Sequence, residues 1–178
     1  MYAFAVFSML SLQNWSIREL ITMLPVKKIL CPLDFSDYSI QALQAARELA
    51  EKLKARIIVN HVIADIPSIG TAYGIVNYSP HTVTMQKFME EVEKTSFQEL
   101  DRLIKKFGNN KIVFEKKVTV GVPVDEIVRL AKTENVDLIV LTTHGRTGLS
   151  RIFMGSVAEG VTRHAPCPVL SIRIKEES

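Results

Sequence analysis

The chain has 178 residues, of which 47% are apolar and 23% are charged, and its formal net charge is +3. This length suits one domain with a sizeable core, and the composition is that of a globular domain rather than of a disordered chain. The charge is too small to indicate a nucleic-acid partner, and no apolar run reaches the roughly 18 residues of a membrane-spanning helix.

The two cysteines, Cys31 and Cys167, lie in apolar surroundings far apart in the sequence. Neither has a CxxC partner, and the four histidines show no spacing typical of a metal site. We therefore predict two buried thiols in a reducing compartment, which places the protein in the cytoplasm, and no metal site built from side chains.

Residues 1–24 are predicted to form an N-terminal extension, and residues 25–178 a single domain. Residues 2–12 are apolar but lack the basic segment and the small-residue cleavage site of a secretory signal. Two interpretations stay open for the extension. It is either an appendage left by an upstream start site or an arm whose apolar residues pack on a partner subunit.

From residue 26 onward, apolar runs of strand length alternate with stretches in which apolar residues recur at three- and four-residue steps. These patterns predict, in chain order, strand 26–33, helix 37–54, strand 55–64, helix 85–107, strand 112–120, helix 124–133, strand 136–141, a helix that begins near Ser156, and strand 169–174. Strands that alternate with helices indicate an α/β fold, in which a parallel sheet carries helices on both faces.

The helix predicted over residues 85–107 is amphipathic. Its Glu and Lys residues are expected to face solvent, and its apolar residues are expected to face the core. The predicted core residues of this helix are Phe88, Val92, Phe97, Leu100, Leu103 and Ile104.

Asp34 follows directly after the first predicted strand. An acidic residue in this position either caps the next helix or serves a ligand at the carboxyl end of the strand. Because Ser36 or Asp37 can cap the helix over residues 37–54, we expect Asp34 to be available for a ligand.

The stretch 136–157 combines a buried strand, a loop with glycines, and the start of a helix. A strand, a glycine loop and a helix N-terminus together present backbone N–H groups to an anion, usually a phosphate. Arg146 and Arg151 either neutralise phosphate charge or are exposed without a role. His144 either organises the loop, contacts phosphate, or is bonded only by neighbouring backbone.

In this stretch, nine residues separate Gly145 from Gly155 and Ser156. This order resembles the nucleotide-binding loop of the universal stress protein family, whose pattern is a glycine, two residues, a glycine, nine residues, a glycine, and then serine or threonine. Here Thr142 stands in place of the first glycine. The resemblance extends over about residues 27–175, and it implies that residues 25–178 form a universal stress protein domain.

The resemblance implies a five-stranded parallel sheet of order 3-2-1-4-5, of the adenine nucleotide alpha hydrolase-like type. Strands one and four are then neighbours where the winding of the chain reverses, which is where such sheets bind ligands. A homodimer formed through the last strand is also implied, because pairing this edge strand with its copy hides it.

The resemblance places ATP or AMP in the crevice between these strands, with Mg²⁺ or Mn²⁺ bridging the phosphates. Asp34 is expected to receive the ribose hydroxyls and Val62 to lie beside the adenine ring. The predicted nucleotide-binding residues are Pro32, Leu33, Asp34, Val62, Leu141, Thr142, Thr143, His144, Gly145, Arg146, Gly155, Ser156 and Val157. No catalytic residue and no metal-binding side chain is predicted.

Thr142 is the position at which the chain departs from the family pattern. If the backbone must adopt a positive φ there, or if adenosine must approach closely, a β-branched residue is unfavourable and weakens nucleotide binding. If the backbone is extended, threonine is tolerated. The sequence does not decide between these two possibilities.

Three functions are consistent with the sequence. The first is a nucleotide-dependent regulator of the stress response, with a protein partner that the sequence does not identify. The second is a weak ATPase or autophosphorylating switch, although the lysine of a Walker loop and the motifs of catalytic nucleophiles are missing. The third is an interaction module that has lost nucleotide binding through Thr142.

Overall fold

The computed structural model describes residues 26–64, 83–108, 111–143 and 155–172. Within these ranges, strands and helices alternate in the predicted order. The elements are β1 (Lys28–Pro32), α1 (Asp37–Leu53), β2 (Arg56–Ala64), α2 (Val83–Phe107), β3 (Phe114–Gly121), α3 (Pro123–Thr133), β4 (Leu138–Thr142), α4 (Ser156–His164) and β5 (Val169–Ile172). The extension predicted over residues 1–24 lies outside the described residues, so this part of the domain division stays a prediction.

All five strands are parallel and form one sheet in the order β3-β2-β1-β4-β5. The predicted α/β fold and the predicted strand order are therefore confirmed. Leu30 of β1 pairs with Ile58 of β2 on one side and with Ile139 of β4 on the other. The winding of the chain consequently reverses between β1 and β4.

The sheet separates two apolar layers, because successive side chains of a strand point to opposite faces. Ile29 and Cys31 of β1 belong to the layer covered by α1 and α2. Leu30, between them, belongs to the layer covered by α3 and α4. With both faces covered, the central strands bury nearly every side chain, which explains why their sequences are almost continuously apolar.

One predicted core residue of α2 is wrong. Leu100 and Leu103 are buried as expected, but the side chain of Phe88 is 54% exposed. The helix has 25 residues, which corresponds to a length of about 37 Å, whereas the longest strand, β2, has nine residues and spans about 30 Å. A helix longer than every strand cannot lie against the sheet along its whole length, and the exposed Phe88 is near the N-terminal end of α2.

No helix in the described ranges is long and apolar enough to cross a lipid bilayer.

Helices α3 and α4 approach each other closely at Gly160. A Cβ atom added to Gly160 would lie 2.7 Å from Cγ2 and 3.0 Å from Cγ1 of Val124. Both distances are shorter than a normal carbon–carbon contact, and the β-branched valine has little freedom to move away. The absence of a side chain at Gly160 thus sets the distance between the two helices.

We expect Gly160→Ala to lower the free energy of unfolding by about 1–2 kcal/mol, because the cost of overpacking exceeds the gain of about 1 kcal/mol in helix propensity. Urea unfolding of Gly160→Ala, Val124→Ala and the double variant measures this effect. The double variant should be more stable than the sum of the two single changes predicts. A Gly160→Ala variant more stable than the wild type would contradict the close contact.

Cys31 is buried as predicted, whereas Cys167 is only partly buried. Both thiols lie in environments that disfavour the thiolate. Burial raises the pKa of Cys31 to about 12. Burial, with a further contribution from the negative charge of Asp137, raises the pKa of Cys167 to about 11. The thiolate form therefore appears only when the pH approaches these values, well above the physiological range.

At pH 8, less than about one thiol in a thousand is expected to be ionised in the folded protein. Native protein should therefore react slowly with a disulfide thiol reagent, and both cysteines should react fully in denaturant. The time course of labelling with and without urea measures this. Prompt labelling of either cysteine in native protein at pH 8 would contradict the assigned environments.

Candidate functional site

A cavity of about 280 Å³ lies at the carboxyl ends of β1 and β4. The floor comes from the sheet, and the walls come from the turn after β1 and from the first turns of α3 and α4. The lining residues are Pro32, Leu33, Asp34, Ser39, Asn60, Val62, Pro123, Ile127, Leu141, Thr142, Thr143, Gly155, Ser156, Val157 and Ala158. The volume is close to the lower end of the range of about 300–1,000 Å³ that is common for small-molecule pockets.

Every predicted site residue that the structure describes lines this cavity. The remaining three predicted residues, His144, Gly145 and Arg146, lie outside the described residues, as does Arg151. The structure therefore brings together residues from the first and the last third of the chain. Their role in binding a nucleotide stays a prediction.

The sequence analysis missed five lining residues, which are Ser39, Asn60, Pro123, Ile127 and Ala158. Ile127 and Ala158 belong to the apolar faces of their helices, and sequence periodicity does not distinguish a core position from a cavity wall. Asn60 did carry a signal, because it is a polar residue that directly follows three apolar residues of β2. A polar side chain at a buried position generally needs a hydrogen-bond partner.

Asp34 does not cap helix α1. Ser36 is the N-cap, and its Oγ atom accepts a hydrogen bond from the backbone N–H of Ser39 at 3.2 Å. Oδ1 of Asp34 accepts hydrogen bonds from the backbone N–H of Ser36 at 3.0 Å and from its hydroxyl at 2.5 Å. These bonds hold the Asp34 carboxylate at the rim of the cavity.

The turn after β1 contains a residue in an unusual backbone conformation. Phe35 has φ 64°, in the left-handed region that bulky residues rarely adopt, at a cost of about 1–3 kcal/mol. Its ring stacks on His61, with 4.2 Å between the ring centroids. His61 Nδ1 lies 2.7 Å from the carbonyl oxygen of Leu33, to which it donates. The stack and this hydrogen bond offset the strain and fix the direction of the turn.

The N-terminus of α4 forms the opposite wall. Gly155 is the N-cap, no side chain caps the helix there, and Ser156 occupies the first turn. The N–H of Gly155 donates to the carbonyl oxygen of Thr143 at 2.7 Å. Because the first turn of a helix leaves N–H groups without partners in the helix, this wall suits an anion.

Thr142 is the last residue of β4 and pairs with Ile172 of β5. Its backbone is therefore extended, and it does not belong to the described residues with positive φ. Of the two conformational possibilities considered for this position, the structure supports the extended one, which threonine adopts readily. Thr142 is half-buried and is one of the residues that line the cavity.

Ser36→Ala is expected to lower the free energy of unfolding by about 1 kcal/mol, because α1 loses its N-cap. Ser36→Thr keeps a hydroxyl at this position and serves as the matched control, with a much smaller effect. Urea unfolding monitored by circular dichroism measures both variants. Equal stability of Ser36→Ala and the wild type would contradict the capping role.

Comparison with known proteins agrees with the family resemblance seen in the sequence. Residues 25–173 match the universal stress protein family. The chain is 35% identical over 149 residues to universal stress protein MJ0531 of Methanocaldococcus jannaschii, which covers 83% of this chain and 82% of the relative.

Solved structures share the fold. The structure of protein MJ0577 of the same organism superposes with a TM-score of 0.70 at 27% identity and covers 85% of this chain and 98% of that one. The universal stress protein from Archaeoglobus fulgidus in complex with dAMP has a TM-score of 0.52 at 22% identity and covers 84% of this chain and 99% of that one. At this identity, the second likeness concerns the fold alone.

Proposed function

The chain belongs to the universal stress protein family, and we propose that it binds an adenine nucleotide, ATP or AMP, in the cavity between β1 and β4. One observation carries the proposal. A carboxylate at the end of β1 and the N-terminus of α4 face the same cavity, although Asp34 and Ser156 are far apart in the sequence. The carboxylate accepts hydrogen bonds from hydroxyl groups, as a ribose requires. The helix N-terminus attracts an anion, as a phosphate requires.

In the proposed complex, the Asp34 carboxylate accepts hydrogen bonds from the ribose hydroxyls, since a carboxylate is suited to a diol. The phosphates lie at the first turn of α4, where Gly155 permits close approach and Ser156 adds a hydroxyl. Val62, Leu141 and Val157 provide apolar surface for the base. The predicted contacts of His144, Gly145 and Arg146 belong to the same proposal.

The charge of the phosphates needs further neutralisation. Among the described lining residues there is no lysine or arginine, and the described part of the chain holds no cluster of three metal-ligating side chains. We therefore propose that Mg²⁺ or Mn²⁺ is held by the phosphates and water rather than by a protein cage. Such an ion would supply positive charge where the helix N-terminus supplies only a partial one.

The fold itself accommodates such a ligand, because the Archaeoglobus protein with the same fold is a complex with dAMP. Asp34 is the only carboxylate among the described lining residues, and it is already bonded to Ser36. This arrangement favours binding over rapid turnover. We therefore propose a nucleotide-dependent regulator rather than a phosphate-transfer enzyme.

The proposed regulator is a cytoplasmic homodimer that pairs through β5. This strand lies at the edge of the sheet, and the side chain of Leu170 is 38% exposed. An edge strand with an exposed apolar residue is a natural site for pairing with a second copy.

The direct test begins with denaturation of purified protein and identification of any nucleotide released, followed by calorimetric titration of ATP with Mg²⁺. Asp34→Ala is expected to weaken binding by about 10- to 100-fold, because hydrogen bonds to a charged group are lost. Asp37→Ala is the matched control, since Asp37 lies in the first turn of α1 and outside the cavity lining. The affinity of the Asp37→Ala variant for ATP should equal that of the wild type.

Gly155→Val provides an independent test of the phosphate side, because a Cβ at this position would lie 3.1 Å from the carbonyl oxygen of Thr143. We expect it to abolish measurable binding. A wild type with no released nucleotide and no heat of binding would refute the proposal and favour an interaction module closed by Thr142. Repeated turnover that disappears in Asp34→Ala would instead indicate a weak ATPase.

A further inference from the structure

Phe35, in the turn after β1, has a backbone conformation that its place in the chain does not explain. Its φ is 64°, in the left-handed region, which is open to glycine and unfavourable for a bulky side chain. The other two described non-glycine residues with positive φ, Lys54 and Asn135, follow the ends of α1 and α3, where this conformation is common. Phe35 instead precedes a helix. Such strain persists where the surroundings impose it, and it is concentrated at ligand sites.

Asp34 and Phe35 are neighbours in the chain, but they serve different sides of the turn. Asp34 lines the cavity, whereas Phe35 packs against the apolar layer that α1 and α2 cover. His61 lies on the same face of the sheet as this layer, because Val59, two residues earlier in β2, belongs to it. His61 is not one of the described residues that line the cavity. We therefore expect any effect of His61 on a ligand to pass through the turn.

His61 holds the residues on both sides of Asp34. Its ring stacks on the ring of Phe35, with 4.2 Å between the centroids and 27° between the planes. Its Nδ1 donates to the carbonyl oxygen of Leu33 at 2.7 Å, since a carbonyl oxygen can only accept. The N–H of Leu33 in turn donates to the carbonyl oxygen of Asn60 at 2.7 Å. Contacts from β2 thus fix the backbone before and after Asp34, and with it the direction in which the Asp34 side chain leaves the turn.

We propose that His61 is a positioning residue, which directs the Asp34 carboxylate to the ribose hydroxyls and so sets the preference for nucleotides that carry them. This inference rests on the proposed nucleotide binding and adds a residue on the opposite face of the sheet. The bonds from Ser36 hold Oδ1 of Asp34 within the turn. The carboxylate therefore follows the turn, and the turn follows His61.

A purely structural role for His61 predicts a different result. If the ring only stabilised the apolar layer, its loss would lower the stability of the fold and weaken all nucleotides equally. If the ring positions Asp34, its loss weakens only those nucleotides that have hydroxyls for the carboxylate. Comparison of nucleotides with and without these hydroxyls separates the two roles.

The test is calorimetric titration of ATP and 2′,3′-dideoxy-ATP, each with Mg²⁺, into the wild-type protein and His61→Ala. The dideoxy nucleotide lacks both ribose hydroxyls and thus removes the Asp34 contact from the side of the ligand. The wild type should bind ATP about 10- to 100-fold more tightly than the dideoxy nucleotide. In His61→Ala, the affinity for ATP should fall about tenfold, and the affinity for the dideoxy nucleotide should stay almost unchanged.

Two further variants show whether His61 acts through Asp34. In the double variant of Asp34→Ala and His61→Ala, ATP should bind almost as well as to Asp34→Ala alone, because residues that act through one another are not additive. His61→Asn keeps an N–H donor near the position of Nδ1 and should lose less of the preference for ATP than His61→Ala does.

Phe114→Ala is the matched control, because Phe114 is also a ring packed against the layer under α1 and α2, but it is the first residue of β3 and outside the described cavity lining. This variant should be less stable and keep the wild-type preference for ATP. Thermal unfolding without ligand shows whether each variant is folded. Phe35→Leu removes the stack from the other side, with the same expected loss of preference, and tests the inference if His61→Ala does not fold.

An unchanged preference for ATP in folded His61→Ala, or in Phe35→Leu, would overturn the role of His61 while leaving nucleotide binding intact. Additive losses of ATP affinity in the double variant would also overturn it, because His61 would then act independently of the carboxylate. Equal binding of the two nucleotides by the wild type would overturn it together with the ribose contact of Asp34. Failure of the wild type to bind either nucleotide would instead overturn the proposed function on which the inference rests.

Discussion

The parallel pairing of β1 with β4 is the contact on which the rest of the structure depends. Ile29 pairs with Leu138 and Leu30 with Ile139, and β2 and β5 add to the outer sides of this central pair. From the carboxyl ends of these two strands, the chain continues to helices on opposite faces of the sheet. The cavity lies at this position, at the carboxyl ends of the two strands.

Both ends of β1 are held by hydrogen bonds that reach across the sheet. At the start, Oδ2 of Asp137 accepts from the backbone N–H groups of Lys27 and Lys28 at 2.8 and 2.9 Å. At the other end, the N–H of Leu33 donates to the carbonyl oxygen of Asn60 at 2.7 Å. A strand fixed at both ends keeps the following turn in place, and Asp34 is thereby positioned without depending on a flexible loop.

The cavity combines an apolar lining with a few directed polar groups. Asp34, at the end of β1, and Ser156, in the first turn of α4, both line it. The two groups prefer different partners, since a carboxylate accepts hydrogen bonds from hydroxyls and a helix N-terminus attracts an anion. A nucleotide is a ligand that carries both partners in one molecule, which is why the separate arguments for sugar and phosphate support one another.

The nine elements, the amphipathic faces, and the candidate residues Asp34, Gly155 and Ser156 could be predicted from the sequence, because periodicity and motif spacing are local properties of the chain. The strand order required the family resemblance. Four features came from the tertiary structure: Ser36 rather than Asp37 caps α1, Thr142 is extended, Phe88 is exposed, and Asn60 lines the cavity. These features depend on contacts between residues distant in the sequence, and a periodic pattern shows which face of an element is apolar but not what that face meets.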